Sequence, residues 1–276
     1  MQDRLARAAL TATALVSAAG ILLIALAVTV EGWPALPHLF GAVWSPEEGR
    51  FGVLPLLAGS VLVTLGSLAG AVPLGIGMGL FLSEVAPPQV ADLVRPLLRG
   101  MAAVPSVVFG FLGLTLVVPW IRAWFGGPGL SLLAGCIVLA VMVLPTMASV
   151  AEDAFRAVDP SLREGAYALG ASPGQVAWRL LLPAARGGLA AAVVLALGRA
   201  LGETMAVLMV TGNAAALPRS PLDPVRTLTG NIALEMAYAT GRHRQALFAS
   251  GALLLLLNLA VNQLARRAAG RGGGGR

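Results

Sequence analysis

Six long stretches of the chain carry almost no charged side chains, and each has the length of a membrane-spanning helix. An α-helix rises about 1.5 Å per residue, so roughly 20 apolar residues cross the hydrocarbon core of a bilayer. A cleaved signal peptide has a shorter apolar region of roughly 7–15 residues, so the first stretch is interpreted as a retained span. We predict an all-α membrane protein, a single transmembrane domain over residues 1–276. Its spans lie at about 8–30, 56–83, 100–121, 130–150, 187–210 and 246–265.

Three pairs of glycines have the spacing that lets membrane helices approach each other closely. The pairs are Gly66/Gly70, Gly75/Gly79 and Gly198/Gly202. Glycines separated by three residues lie on one face of a helix and commonly form its contact with a neighbouring helix. We therefore predict that all three pairs are helix-packing faces.

The arginines predict how these spans are oriented in the membrane. An even number of spans places both termini on the same side. With the termini in the cytoplasm, 12 arginines lie on the cytoplasmic side and 6 on the outer side. Because positive side chains are enriched in cytoplasmic loops, the distribution favours a multi-pass protein of the inner (plasma) membrane with both termini cytoplasmic.

The composition supports a membrane protein and excludes several kinds of chemistry. Hydrophobic residues make up 57% of the chain and charged residues 12%, which is too apolar for a soluble domain. All 19 basic residues are arginine, so the lysine of a P-loop or of a Schiff base is absent. His38 and His243 are isolated and Cys136 lies in an apolar run, so we predict no metal site and no cofactor. The chain is interpreted as a non-enzyme, and any ATP-driven work must be powered by a different chain.

Two charged residues interrupt the fifth predicted span. The sequence LALGRALGETMAVLMV (195–210) places Arg199 near the centre of that span and Glu203 four residues later. An arginine or aspartate at the bilayer centre costs about 2.5–3.5 kcal/mol on insertion scales, so such side chains usually face a bundle interior or an aqueous path. The alternative is a mutual ion pair along the helix, although arginine before glutamate is the less favourable order.

Residues 151–186 are polar enough to leave the membrane and contain start and stop signals for two short helices. Asp159 is an N-cap candidate followed by proline, and Gly170 is placed to end the first helix. Ser172 starts a second helix, with Gln175 positioned to complete a capping box. We predict two short helices joined by a tight turn at Gly170. From these signals alone, a simple amphipathic connector is an equally good interpretation.

The string EGAYALGASPGQVAWRLLLP (164–183) resembles the EAA loop of the permease subunits of ABC importers. That motif reads E-A-A, three residues, G, nine residues, I-x-L-P. The corresponding positions here are Glu164, Gly165, Ala166, Gly170, Leu180, Leu182 and Pro183. Gly165 departs from the central alanine, which weakens that helix by up to ~1 kcal/mol, and Leu180 replaces isoleucine. The resemblance implies a coupling loop that docks in a groove of a cytoplasmic ATPase.

Other strings resemble one branch of these permeases. GRALGETMAVLMVTGN (198–213), AVPLGIGMGLFLSE (71–84) and AVPSVVFGFLGL (103–114) are similar to the phosphate-importer permeases, and more to the PstC type than to the PstA type. The resemblance implies the MetI-like fold of binding-protein-dependent permeases, with phosphate as the substrate. The implied partners are ATPase subunits at the cytoplasmic face, a second homologous permease of the PstA type, an external phosphate-binding protein and membrane lipid, with no nucleic acid.

The resemblance and the residue chemistry together place Arg199, Glu203 and Thr204 on a substrate path. A guanidinium offers a planar fork that matches phosphate oxygens and stays charged at any relevant pH. Phosphate near neutral pH still carries protons, so Glu203 can accept a P–OH hydrogen bond that fully ionised sulfate cannot offer. Alternatively, Glu203 holds Arg199 between transport cycles.

Three other interpretations of the function stay open from the sequence. The first is a permease for another oxyanion, and the second is a PstA-type partner subunit. The third is a secondary transporter driven by an ion gradient, which needs no ATPase.

Overall fold

The computed structural model describes residues 2–270, so residue 1 and the 271–276 part of the predicted domain lie outside the described residues. Within this range the chain is helical except for connecting segments and one two-stranded antiparallel hairpin. In chain order the first elements are α1 (Gln2–Gly32), β1 (Trp44–Ser45), β2 (Arg50–Phe51), α2 (Leu54–Leu80), α3 (Pro88–Ala103), α4 (Ser106–Leu112), α5 (Val118–Phe125) and α6 (Leu132–Arg156). They are followed by α7 (Pro160–Ala168), α8 (Pro173–Gln175), α9 (Leu182–Ala184), α10 (Arg186–Leu201), α11 (Met205–Val210), α12 (Leu228–Glu235) and α13 (Gly241–Gly270). Short 3-10 and π-helical turns extend or join these helices at Trp33–His38, Pro46–Glu48, Phe81–Val85, Gly113–Val117 and Val176–Leu181.

Five helical segments of the described chain are long and apolar enough to cross a membrane. They are Leu10–His38, Leu54–Val85, Ser106–Phe125, Leu132–Arg156 and Gly241–Gln263. A sixth candidate span is the pair Pro173–Ala184 and Arg186–Leu201, whose two parts are bent by 70°. The all-α prediction is confirmed, and the six predicted spans agree with the higher of these two counts.

The helices differ strongly in how much of their surface the rest of the chain covers. None of the most apolar window of Leu10–His38 is buried inside the chain, whereas half of the corresponding window of α6 is buried. Helix α6 therefore forms the centre of the bundle and packs along α2, α10 and α3. Helix α1 lies at the edge, where it contacts α13 and presents its apolar side chains outward.

The two predicted glycine pairs of α2 lie at its contact with α6, as their spacing predicts. A Cβ atom at Gly79 would lie 2.7 Å from the Glu152 backbone nitrogen, and one at Gly75 would lie 2.8 Å from the Met147 Cβ. These backbones approach so closely that only glycine fits. A Cβ at Gly198, in contrast, would have no atom within 4 Å. The prediction of a packing face for that third pair is therefore wrong within the described chain.

The third span begins at Ser106 rather than near residue 100, and the earlier residues belong to α3. The helix is interrupted at Val104, which has extended backbone angles (φ −65°, ψ 132°). Val104 precedes Pro105, whose ring disfavours the helical conformation in the residue before it. The apolar run through this boundary conceals the break, because hydrophobicity alone carries no information on backbone angles.

The fifth span is not the continuous helix predicted over 187–210. Helices α10 and α11 are separated by residues 202–204, and this break corrects the sequence prediction. Within the break, the Glu203 carboxylate accepts the Ala206 N–H at 3.1 Å. This side chain therefore satisfies one of the N–H donors left free at the start of α11. Arg199 consequently lies in the last turn of a helix and not at the centre of an unbroken span.

A buried carboxylate fastens the end of the bundle that carries the β1–β2 hairpin, called here the hairpin end. The Glu235 side chain accepts hydrogen bonds from Trp44 Nε1 (2.9 Å) and Arg226 Nη1 (2.7 Å) and contacts His243 Nε2 (2.8 Å). These contacts join β1, the segment before α12, α12 and α13. His243, isolated in the sequence, is thus part of a cluster of polar side chains that contact the Glu235 carboxylate. The opposite end, with residues 157–185, is called the loop end.

Candidate functional site

The guanidinium of Arg199 lies between three helices of the bundle. Its Nη1 donates to Thr146 Oγ1 at 2.9 Å, and its Nη2 donates to the Ala102 carbonyl oxygen at 3.3 Å. Thr146 belongs to α6 and Ala102 to the last turn of α3. The side chain is only partly buried, so the group is held in place while part of its donor surface stays accessible.

Arg199 and Glu203 do not neutralise each other in the structure. Among the ion pairs recorded for the described residues, none joins these two side chains within 4.0 Å. Glu203 instead bonds to the start of α11, and Arg199 points to α3 and α6. Because helix α10 ends between them, the geometry that would bring residues four apart onto one face is lost. The break therefore leaves two charges that are placed separately on either side of the end of α10.

Thr204 and Thr229 add hydroxyl groups to the same region. The Thr204 Oγ1 lies 3.3 Å from the Gly202 carbonyl oxygen in the break. Thr229, near the start of α12, donates from its Oγ1 to the Glu203 carbonyl oxygen at 2.9 Å. Its hydroxyl also lies 3.1 Å from that of Thr227, which caps α12. A segment close to the hairpin end thus reaches back to the break and satisfies a carbonyl that the helix leaves free.

Thr146, Thr229 and the Ala102 carbonyl were not predicted as parts of the site. Each lies in a different element from Arg199, separated from its partner by 26 to 97 residues. The TLTGN string at 227–231 could have indicated a capped helix start between the last two spans. Its proximity to Glu203 depends on the chain folding back, which no local pattern encodes.

The break in the third span also faces this region. The helix that begins at Ser106 continues through π-helical and α-helical turns to Phe125 over 20 residues. Gly110 of this helix packs against α11, since a Cβ there would lie 2.9 Å from the Ala206 Cα. The N-terminus of a long helix carries partial positive charge, and this one starts four residues after the carbonyl that binds Arg199.

The groups in this arrangement are of the kinds that bind oxyanions in proteins. The guanidinium and a helix N-terminus offer hydrogen-bond donors, and one carboxylate offers an acceptor. The Thr204 and Thr229 hydroxyls donate to backbone carbonyl oxygens. The described residues contain no group of three or more His, Cys, Asp or Glu side chains that could hold a metal ion.

The predicted signals in the loop-end segment are confirmed. Asp159 Oδ1 accepts the Ser161 N–H at 2.9 Å at the start of α7. Ser172 and Gln175 form the reciprocal bonds of a capping box. Gly170 has φ +80°, a left-handed conformation that glycine adopts without a steric penalty. The two short helices and the turn between them are therefore encoded locally.

Hydrogen bonds at the start of α7 lower the pKa of the Asp159 carboxyl group. The larger cause is the Ser161 backbone N–H, and the Ser161 side chain adds to it. Because the folded pKa lies below the unfolded value, this cap stabilises the helix above the unfolded pKa. Its contribution is lost as the pH falls through the folded pKa. The start of α7 is thus fully capped near neutral pH.

The residues of the EAA-like motif divide into a packed set and an exposed set. Ala166, Leu180 and Leu182 pack against a buried apolar cluster around Phe155, at the end of α6. The exposed members are Glu164, Gly165, Gly170 and Pro183. The packed side chains attach the loop to the bundle, and the exposed positions are available to another molecule.

Large apolar side chains surround the turn at Gly170 on the exposed side of the loop. Leu169 is 90% exposed and Trp178 is 72% exposed. A pocket of about 270 Å³ lies beside Leu169, lined in part by Gly170, Gln175 and Arg179. Exposed apolar side chains rimmed by polar ones are typical of a protein-binding surface.

Solved transporter structures share this fold. A bacterial alginate ABC transporter, solved with an alginate-bound periplasmic protein, aligns with a TM-score of 0.70 at 17% identity and covers 98% of this chain and 95% of its own. The MetNI methionine ABC transporter aligns with a TM-score of 0.60 at 21% identity, over 83% of this chain and 99% of its own. The fold is therefore that of the MetI-like permease subunits of ABC importers.

The sequence comparisons agree with the fold. Residues 71–271 match the family described as "Binding-protein-dependent transport system inner membrane component". The chain is 43% identical to the probable ABC transporter permease protein YqgH of Bacillus subtilis over 234 residues, which are 83% of this chain and 76% of that protein. It is 34% identical to the phosphate transport system permease protein PstC of Pasteurella multocida over 243 residues, which are 81% of this chain and 76% of that protein. The chain belongs to this permease family and is a multi-pass inner-membrane protein.

Proposed function

We propose that this chain is the PstC-type permease subunit of an ATP-driven importer, and that it moves inorganic phosphate into the cytoplasm. The observation that carries the proposal is Arg199, a partly accessible guanidinium held at the break in the fifth span. The PstC relatives, at 32–35% identity over most of the chain, support phosphate as the substrate.

Arg199, Glu203 and Thr204 have complementary roles in this proposal. The guanidinium binds phosphate oxygens through parallel charge-assisted hydrogen bonds. The Glu203 carboxylate accepts a P–OH hydrogen bond, which selects protonated phosphate over sulfate. The Thr204 hydroxyl adds a donor when it turns from the Gly202 carbonyl oxygen to the ligand. The separation of Arg199 from Glu203 supports this division, because neither charge is consumed by the other.

The proposed partners follow from the two ends of the bundle. The exposed surface of the loop end docks on an ATPase subunit at the cytoplasmic face, and a second, PstA-type permease completes the membrane path. An external phosphate-binding protein delivers the substrate at the hairpin end. ATP hydrolysis takes place in the ATPase chain.

Reconstitution of the complete complex in proteoliposomes tests the proposed function. With a phosphate-binding protein outside and ATP inside, radiolabelled phosphate should accumulate, and excess sulfate should not compete. Vesicles without ATP serve as the control. Uptake that ignores ATP and collapses with an ionophore would instead indicate a secondary transporter, and preferred uptake of another oxyanion would overturn the phosphate assignment.

The proposed orientation predicts where reporter fusions will be active. A reporter fused after Gly170 should be cytoplasmic, and one fused after Leu217, an exposed residue of the last outer loop, should be external. The arginine distribution is the physical reason. The measurement is a pair of reporters that are active on opposite sides of the membrane. Reversed activities at both positions would contradict the orientation and the docking role of the loop.

A further inference from the structure

A second set of charged side chains lies at the loop end, where α2, α3, α6 and α7 meet. It is separate from Arg199 and from the exposed motif residues. Two of its arginines, Arg95 and Arg163, have side chains only 20% and 18% exposed. Arginines near a membrane surface commonly extend their charged groups into water. Here the guanidinium groups of Arg95 and Arg163 instead form contacts between helices.

Arg163 fastens α7 to the ends of two spans. Its guanidinium donates to the carbonyl oxygens of Phe155 and Val158, both at 2.6 Å, where α6 ends. The Nη2 also lies 3.1 Å from Glu84 Oε1 in the π-helical turn after α2. The carbonyls at a helix C-terminus attract a cation, and Glu84 adds an opposite charge. The residue just before the exposed Glu164 of the motif is thus tied to the bundle.

Arg95 fastens α3 to the same two spans. Its Nε lies 2.7 Å from Glu152 Oε1 on α6, and its Nη2 donates to the Leu82 carbonyl oxygen at 3.2 Å. Glu152 is buried, so its charge depends on Arg95 and on a second contact to Arg156 at 3.2 Å. Helix α3 therefore cannot shift along α6 without breaking a buried ion pair.

The far end of α3 reaches the proposed substrate site. The Ala102 carbonyl oxygen, in its last turn, accepts the hydrogen bond from Arg199 Nη2 at 3.3 Å. Polar contacts and the helical segments between them thus connect α7, through Arg163 and Glu84, to the turn at Leu82. From there the connection runs through Arg95 and α3 to Arg199. Each step joins a charged group to a rigid helical element.

We propose that Arg163 and Arg95 are positioning residues that transmit movement of the loop end to Arg199. The proposal rests on the ATP-driven transport proposed above. A partly buried ion pair is costly to break, because the remaining partner becomes an unpaired charge in a poorly hydrated place. Such ion pairs therefore keep the helices that they join together when the bundle moves. A displacement of α7 by its ATPase then shifts α3, and with it the carbonyl that holds Arg199.

Glu84→Gln is the most selective test, because it removes the ion pair to α2 while Arg163 keeps its two bonds to α6. The complex should assemble and hydrolyse ATP, but the phosphate imported per ATP should fall about tenfold, within the range typical of coupled sites. The matched control is Arg99→Gln on α3, an exposed arginine with no ion pair recorded in the described chain. It should retain the wild-type ratio.

A second readout follows α3 directly and does not depend on the substrate. In a Cys136→Ala background, Gly100→Cys introduces a thiol on an exposed part of α3, where no atom lies within 4 Å of the new Cβ. Its rate of labelling by a maleimide should change between the nucleotide-free complex and the complex trapped with ATP and vanadate. Glu84→Gln or Arg95→Gln should reduce that change about fivefold.

The outcomes separate this proposal from the proposed function. An unchanged import ratio and an unchanged labelling response in Glu84→Gln would overturn the link, as would a wild-type labelling rate that ignores nucleotide. A wild-type complex that hydrolyses ATP and shows the labelling response, but imports no phosphate, would contradict the phosphate assignment alone. If Glu84→Gln does not assemble, Glu84→Asp keeps the charge on a shorter side chain and should give a smaller loss of both readouts. Wild-type readouts in that variant would also overturn the link.

Discussion

A complex that carries Arg199→Gln is expected to assemble and hydrolyse ATP but to import almost no phosphate. The substitution removes the charged fork and leaves a neutral amide in contact with Thr146 and the end of α3. Each charge-assisted hydrogen bond contributes about 1.5–3 kcal/mol, so loss of two should reduce uptake by at least ~100-fold. The measurement is ATP-dependent uptake of radiolabelled phosphate in proteoliposomes.

Three further variants identify the reason for that loss. Arg199→Lys keeps the charge without the planar fork, so uptake should be intermediate. Arg219→Gln, at an exposed position between the last two spans, is the control and should behave as wild type. Arg199→Gln/Glu203→Gln should stay inactive, since the structure shows no ion pair between these residues whose removal the second change could relieve. Recovery of wild-type uptake in the double variant would refute a ligand role for Arg199.

Gly170→Val is expected to leave the permease in the membrane but to release its ATPase. A left-handed conformation costs an L-residue about 1–2 kcal/mol, and a β-branched side chain adds further restriction. Since Gly170 has φ +80°, the turn between α7 and α8 must change its angle. The membrane spans are untouched, so insertion should be normal. Co-purification of the ATPase with the tagged permease, followed by uptake, measures the effect.

Gly165→Ala is the matched control for this change. Gly165 lies in the same loop, within α7, and a Cβ there would have no atom within 4 Å. Alanine favours a helix over glycine by up to ~1 kcal/mol, so this variant should bind the ATPase at least as well as wild type. If Gly170→Val also binds the ATPase and supports normal uptake, the loop is only a connector between spans.

The sequence alone determined those parts of the protein whose signals are local. Long uncharged stretches predicted the spanning helices, because each residue in lipid contributes its own transfer cost. The sequence also predicted the helix caps at Asp159 and Ser172 and the turn at Gly170. Each of these is made by side chains or backbone angles within a few residues. The glycine spacing in α2 likewise predicted a close contact with another helix, although it did not identify α6 as that helix.

Only the tertiary structure decided which distant residues meet. Glu84 and Arg163 are 79 residues apart in the chain, and Trp44 and Glu235 are 191 apart. The break after Arg199 was concealed for a related reason. Apolar residues continue on both sides of Gly202, Glu203 and Thr204, so the sequence reads as one span. The break is stabilised by another segment, whose Thr229 hydroxyl donates to the Glu203 carbonyl oxygen. Spans and caps follow from short-range propensities, but the placement of buried charges depends on contacts formed when the helices pack, and no local pattern records those.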